Sequence, residues 1–135
     1  MKKTLIVLSI LIVFLCSLVW YVFNYVATEF QIREIYLSKT GKYIYFKSKK
    51  RGLNFSVITI SDSKRRRIDK KKDIVYSWDE TLFYRNTPDT LYVFCRHKTT
   101  IPHNIQHTII QKEYSNSYYY SLLDTYKDLG LEKFP

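Results

Sequence analysis

Residues 30–47 read FQIREIYLSKTGKYIYFK, and this stretch predicts a β-hairpin. Aromatic and β-branched side chains dominate it, which is typical of strands. In its first half, Ile35 and Leu37 fall on the same face of a strand as Arg33, while Glu34 falls on the other. We therefore expect two strands here, joined by a tight turn.

Similar short runs recur downstream, separated by charged or polar segments. The predicted strands are Phe30–Leu37, Tyr43–Lys47, Leu53–Ile60, Ile74–Trp78, Leu82–Arg85, Leu91–Arg96 and Asn104–Gln111. Connections of about 4 to 12 residues suit hairpins and meanders better than helical crossovers. We expect a curled or layered, mostly antiparallel sheet.

The period of the apolar residues changes near the C-terminus. Tyr119, Leu122 and Tyr126 recur at helical spacing after Ser115-Asn116-Ser117, a cluster suited to N-capping, and Gly130 is placed to end a helix. We predict an amphipathic helix over residues 117–129. The predicted fold class is mainly β (α+β): an N-terminal transmembrane helix, a small antiparallel β-sheet domain and one C-terminal helix.

One part of the hairpin resembles a known family. Residues 37–46, LSKTGKYIYF, resemble one hairpin in the blades of TolB-type β-propellers. The resemblance implies a turn at Gly41 between two strands. A closed propeller needs at least four blades of roughly 40 residues, so a chain of 135 residues cannot form one.

The uncharged run from Thr4 to Thr28 follows Lys2 and Lys3. A helix from Leu5 to about Tyr25 would cross a hydrocarbon layer of about 30 Å at about 1.5 Å per residue. We therefore predict a membrane anchor over residues 1–28 and one domain over residues 29–135.

A cleaved signal peptide is the alternative interpretation of this run. No small-x-small cleavage site follows the apolar stretch, and Leu15 precedes Cys16 where a lipoprotein signal needs a small residue. An uncleaved signal-anchor is favoured. Paired lysines touching the helix favour a cytoplasmic N-terminus and an extracytoplasmic domain, although a simple count of basic residues slightly opposes that orientation.

Charge is concentrated in two short segments of a chain whose formal net charge is +10. Residues 64–73 carry a net charge of +5 and residues 47–51 carry +4. The candidate partner-binding residues are Lys64, Arg65, Arg66, Arg67, Lys70, Lys71 and Lys72; the candidate membrane-surface residues are Lys49, Lys50 and Arg51. We expect the second group in a turn near the bilayer, and the first in a loop about 26 Å away at the other end of the intervening strand.

Catalytic and cofactor signatures are not found in the sequence. With Gly41, Gly52 and Gly130 as its glycines, the chain has no phosphate-cradling loop, and it has no G-x-S-x-G motif. His103 and His107 are four residues apart, and Ile105 and the residues after His107 favour a strand, in which about 13 Å would separate the two side chains. We expect no enzyme, no metal and no cofactor, and we expect Cys95 to be a buried thiol.

These observations predict a membrane-anchored, non-enzymatic binding or assembly domain. Its partners would be the lipid bilayer and an acidic protein or anionic surface, as for an inhibitor, an immunity-type protein or an envelope scaffold. The alternative is a mostly structural accessory subunit. Nucleic acid is disfavoured because no recognised nucleic-acid motif accompanies the basic run, and a solvated connection is the simplest reading of that run. The sequence does not determine the oligomeric state.

Overall fold

The computed structural model describes residues 2–23, 28–51 and 55–135. This part of the chain contains two α-helices and eight strands. In chain order they are α1 (Lys2–Tyr21), β1 (Thr28–Leu37), β2 (Lys42–Arg51), β3 (Phe55–Ser61), β4 (Ile74–Tyr76), β5 (Leu82–Asn86), β6 (Leu91–Cys95), β7 (Ile109–Glu113), α2 (Asn116–Thr125) and β8 (Glu132–Phe134).

The chain divides into two compact units: Met1–Glu29 with Lys50–Phe55, and Phe30–Lys49 with Ser56–Pro135. In the first unit, α1 contains one apolar span, Thr4–Tyr21, that is long enough to cross a membrane. An N-terminal signal sequence would have the same length and composition. The side chains of the span are exposed, and the hydroxyls of its two serines donate to carbonyls one turn earlier.

The second unit contains two four-stranded sheets, in the order β1-β2-β3-β4 and β7-β6-β5-β8. The first follows chain order, as a meander does. In the second, β5 pairs antiparallel with β6 and β8, whereas β6 and β7 are parallel. The expected antiparallel arrangement is therefore correct except for this pair, which a connection of residues 96–108 without a helix makes possible.

The inner faces of the two sheets share one core. Sheet β1-β2-β3-β4 contributes Phe46 and Ile60, and the other sheet contributes Tyr84, Val93 and Phe134, all almost completely buried. Burial of such side chains stabilises each by about 1.5–3 kcal/mol. The alternation read from the hairpin is confirmed, because Ile35 and Leu37 belong to this core.

Helix α2 covers the outer face of β5 and β6. Leu122 is fully buried there with Phe83, and Leu131 and Tyr114 complete the cluster. The side chain of Ser115 caps the helix by accepting a hydrogen bond from the backbone N–H of Tyr118. The amphipathic helix predicted from the sequence is thus confirmed.

The C-terminal end of α2 differs from the expected boundary. The α-helix ends at Thr125, not at 129, and the chain continues in turns to Gly130. Gly130 has φ +65°, and the N–H groups of Gly130 and Leu131 bond to the carbonyls of Lys127 and Tyr126. This is a Schellman motif, so Gly130 ends the helical segment as predicted.

A strand lies within or overlaps each predicted run, but some limits differ, and the predicted start of the third strand at Leu53 lies outside the described residues. The last was expected over residues 104–111 and lies at Ile109–Glu113, so His103 and His107 are in the preceding loop. Strand β8 was not predicted. The predicted turn at Gly41 is present, with φ +64° between β1 and β2.

Candidate anion-binding surface

The basic loop, residues 62–73, joins β3 to β4 and packs on the outer face of the first sheet. Two of its three acidic residues fix its own backbone. Asp69 accepts a hydrogen bond from the N–H of Lys71 at 3.0 Å, and Asp73 accepts one from the N–H of Asp69 at 2.9 Å. Such side-chain to backbone bonds are what favours Asp in turns.

A lysine of β2 lies buried beneath this loop. The Lys47 side chain is only 2% exposed, and its Nζ donates to the Ser61 hydroxyl at 3.0 Å and to the Arg67 carbonyl at 3.2 Å. The Asp73 carboxylate is 3.9 Å from the same Nζ. Desolvation lowers the pKa of Lys47 below its usual 10.5, although Asp73 opposes the shift. This buried pair joins the loop to the sheet.

Two of the predicted partner-binding residues bind within the domain. Lys64 forms an exposed ion pair with Glu34 of β1, and this hydrogen bond raises the Lys64 pKa. Arg66 donates to the Phe30 carbonyl at 3.0 Å and lies over the Phe30 ring at 5.7 Å. The loop therefore reaches the N-terminal part of β1. The loop begins at the end of β3, and these contacts draw it back across the sheet.

The other predicted partner-binding residues point outward. Arg65, Arg67, Lys70, Lys71 and Lys72 are exposed, and their side chains have no hydrogen-bond or ion-pair partner within the described ranges. The third acid of the loop, Asp62, accepts a hydrogen bond from the Asn104 side chain at 3.0 Å. The loop thus turns its acidic side chains toward internal donors and leaves five cations toward solvent.

Two cavities border the basic loop. One, of about 320 Å³, lies beside the Lys47–Asp73 pair and is lined by Arg65, Arg67 and Lys72. The other, of about 460 Å³, lies between Lys70–Lys71 and residues 99–103. The exposed cations therefore line concave surfaces, where a small anionic group would be more enclosed than on a flat face.

The candidate membrane-surface residues belong to a strand. Lys49, Lys50 and Arg51 were expected in a turn, but β2 extends to Arg51 because its pairing continues past the predicted limit at Lys47. Lys49 and Lys50 are exposed. Lys47, counted with them in the basic segment, is buried.

A third cavity, of about 470 Å³, is lined by Tyr43, Tyr45, Asn104 and His107. The Nε2 atom of His107 is buried without a hydrogen-bond partner in the described structure, and burial lowers the pKa of this imidazole. Asp62 and Thr40 also line this cavity, but the Asp62 carboxylate accepts a hydrogen bond from Asn104 and the Thr40 hydroxyl donates to the Leu37 carbonyl. Among the described residues, neither side chain is bonded to His107.

Other buried titratable groups serve the core. Burial raises the pKa of the Cys95 thiol to about 12, so the thiolate is disfavoured. Burial also raises the pKa of Asp79, whose carboxylate accepts hydrogen bonds from Tyr114 Oη at 2.7 Å and from the N–H of Arg96 at 3.0 Å. Over residues 2–23, 28–51 and 55–135, no three His, Cys, Asp or Glu side chains are grouped as metal ligands.

Comparison of the chain with protein-family models, with curated proteins and with solved structures gives no match. The arguments about function therefore rest on the residues and geometry above.

Sequence reasoning missed the parts of this surface that come from elsewhere in the chain. Lys47 is separated from Asp73 by 26 positions, and it stands in a run of lysines that resembles an exposed segment. Thr99, Thr100 and His103 border the second cavity from a loop with no motif. Only the location of the cations themselves was available from the sequence.

Proposed function

We propose that this protein is a membrane-anchored, non-enzymatic binding domain whose basic loop receives an acidic protein surface. One observation carries the proposal: the acids of the loop bond inward while Arg65, Arg67, Lys70, Lys71 and Lys72 remain exposed and unpaired within the described ranges. A fixed backbone reduces the conformational entropy lost on binding, and clustered cations steer an acidic partner.

The proposal includes an uncleaved signal-anchor with a cytoplasmic N-terminus and an extracytoplasmic domain. A helix with the length and composition for spanning supports the anchor, and Lys2 and Lys3 beside it support the orientation. A reporter that is active only outside the cytoplasm, fused after Pro135, should be active and attached to a full-length chain. An intact but inactive fusion would reverse the orientation, and a shortened chain would show cleavage.

Binding is tested with the full-length protein in phosphatidylcholine nanodiscs and with poly-glutamate as an acidic polypeptide. Wild type should bind it with an affinity that falls as salt rises. The loop variant changes the five exposed cations, Arg65, Arg67, Lys70, Lys71 and Lys72, to Gln. The matched control changes five exposed lysines outside the loop to Gln: Lys39, Lys42, Lys98, Lys112 and Lys127.

Both variants lose the same charge, so the comparison separates a local site from general attraction. We expect the loop variant to lose at least about tenfold in affinity, and the control no more than about threefold, since exposed cations far from the contact act mainly through screened fields. Equal losses, or no binding by wild type, would contradict the proposal.

A further inference from the structure

We infer that the cavity between the basic loop and residues 99–103 is a site for a phosphate monoester group. This inference rests on the proposed function, since it assigns a ligand class to one part of the same surface. The cavity has a volume of about 460 Å³ and brings together Lys70, Lys71, Thr99, Thr100 and His103.

The donor groups of this cavity are not used elsewhere. The side chains of Lys70, Lys71, Thr99, Thr100 and His103 make no hydrogen bond or ion pair within the part of the chain that the structure describes. The residues that line this cavity therefore carry two ammonium groups, two hydroxyls and an imidazole without internal partners.

The wall formed by residues 99–103 is held in place through its backbone. The N–H of Thr99 donates to the Gln111 side chain at 2.9 Å, and the Thr99 carbonyl accepts from the same side chain at 2.6 Å. The N–H of Lys98 donates to Glu113 at 2.9 Å, and the N–H of Ile105 to the Pro102 carbonyl at 3.1 Å. These bonds leave the threonine hydroxyls available.

The opposite wall is held by the acids of the basic loop. Asp69 binds the N–H of Lys71, and Asp73 binds the N–H of Asp69. Asp73 also borders the cavity, but its carboxylate is only 4% exposed and lies 3.9 Å from Lys47 Nζ. Its negative charge is therefore opposed by a buried cation and repels a bound anion less than an unpaired carboxylate would.

A phosphate monoester matches this set of donors better than a carboxylate. It carries a charge near −2 and three terminal oxygens, so it accepts bonds from both lysines and from the hydroxyls at once. A carboxylate has two oxygens and a single charge, and it would leave several donors unpaired. The group could belong to free phosphate or to a lipid headgroup with a terminal phosphate.

The test uses the full-length protein in phosphatidylcholine nanodiscs, titrated with inorganic phosphate by calorimetry. The doubly substituted Lys70→Gln/Lys71→Gln variant should lose at least about tenfold in affinity, because each lost charged hydrogen bond contributes substantially. Lys112→Gln/Lys127→Gln is the matched control, with the same change in charge outside the basic loop, and should lose no more than about threefold.

The hydroxyls give a test that does not change the charge. Thr99→Val/Thr100→Val should lower phosphate affinity about tenfold, and Thr99→Ser/Thr100→Ser should restore it. Equal losses in the two charge variants, a valine variant that binds like wild type, or no phosphate binding by wild type would overturn the inference.

Lipid and free phosphate are distinguished with vesicles. If the source is a headgroup, the protein should bind vesicles containing phosphatidic acid, a monoester, more tightly than vesicles containing phosphatidylglycerol, a diester, with the same dependence on Lys70 and Lys71. Equal binding to both lipids, together with phosphate binding in solution, would support a free phosphate source.

Failure of this inference is separable from failure of the proposed function. If wild type binds poly-glutamate but not phosphate, only the phosphate site is overturned. Loss of poly-glutamate binding would overturn the proposed function whatever the phosphate result.

Discussion

The two sheets are covered on their outer faces in opposite ways. Helix α2 covers the second sheet with apolar contacts, with Leu122 fully buried against Phe83. The basic loop covers the first sheet with polar contacts, centred on Lys47 and Asp73. Apolar covering stabilises through buried area, whereas polar covering depends on every buried group being paired. The removal of one polar group should therefore destabilise the covering by the loop more than the removal of one apolar group destabilises the covering by α2.

The sharpest way to break the polar covering is Asp73→Ala. This change leaves the Lys47 ammonium buried without its carboxylate, and it removes the acceptor for the N–H of Asp69. We expect the free energy of unfolding to fall by about 3–5 kcal/mol, the usual cost of an unpaired buried charge. Denaturation of the full-length protein in micelles, followed by circular dichroism, measures it.

Lys47→Met combined with Asp73→Asn is the control for that experiment, because it removes both charges together. Much of the lost stability should return. If Asp73→Ala alone changes stability by less than about 1 kcal/mol, the pair does not hold the loop.

The apolar covering is tested by Leu122→Ala, which leaves a cavity between α2 and the second sheet. We expect a loss of about 2–5 kcal/mol in the free energy of unfolding, as for other buried leucines. Tyr120→Ala on the same helix is the matched control, since Tyr120 is 68% exposed and should change stability by no more than about 0.5 kcal/mol. Similar losses for the two would show that the helix does not pack as described.

Tyr114→Phe tests a polar contact beneath the apolar covering. It removes the donor at 2.7 Å from Asp79 Oδ1, and we expect a loss of about 1–3 kcal/mol. Because this hydrogen bond lowers the pKa of Asp79, the pKa should rise further in the variant. Carboxyl titration by nuclear magnetic resonance measures it, with Tyr118→Phe as an exposed control. An unchanged Asp79 pKa would contradict the contact.

The pH dependence of stability probes the polar covering without removing an acid. Folding lowers the pKa of Lys47 below its usual 10.5. At a pH between the folded-state pKa and 10.5, the unfolded chain therefore binds more protons at this lysine than the folded protein does. Stability should therefore rise with pH toward 10.5 in wild type relative to Lys47→Met. Denaturation curves of both proteins from pH 7 to about 10 measure how far their free energies of unfolding differ. If wild type does not gain stability relative to Lys47→Met as the pH rises, the lowered pKa is contradicted.

The smallest effect belongs to the exposed ion pair of the basic loop. Lys64→Gln breaks the ion pair with Glu34, in which the two side chains are 70% and 40% exposed, and it should lower stability less than any change above. The effect should shrink further in high salt. A loss as large as that of Asp73→Ala would mean that the loop is held at its surface and not from beneath.

The comparison also explains which features the sequence could predict. Alternation along β1 and helical spacing in α2 are local patterns, and they identified the strands and the amphipathic helix correctly. Lys47 could not be assigned to the interior, because its burial depends on a loop that lies more than ten residues away in the chain. Strand β8 has three residues and no pattern of its own; its partner β5 determines it.

The candidate site was only partly predictable for the same reason. A run of cations is visible in any sequence, but its charge does not say which members bind internally. Lys64 and Arg66 bind Glu34 and the Phe30 carbonyl of β1, and only the fold shows these contacts. The hydroxyls of Thr99 and Thr100 have no sequence signal that connects them to Lys70 and Lys71.

The pairing of β8 with β5 has a consequence for biosynthesis. Arg33 of β1 donates to the Lys133 carbonyl at 2.7 Å, and Phe134 fills the core beside Phe46. Until residues 132–134 have left the ribosome, β5 keeps an open edge and the core lacks a ring. Nascent chains halted before this point would present an unpaired strand to chaperones and proteases. Correct closure of the domain therefore depends on completing translation through β8.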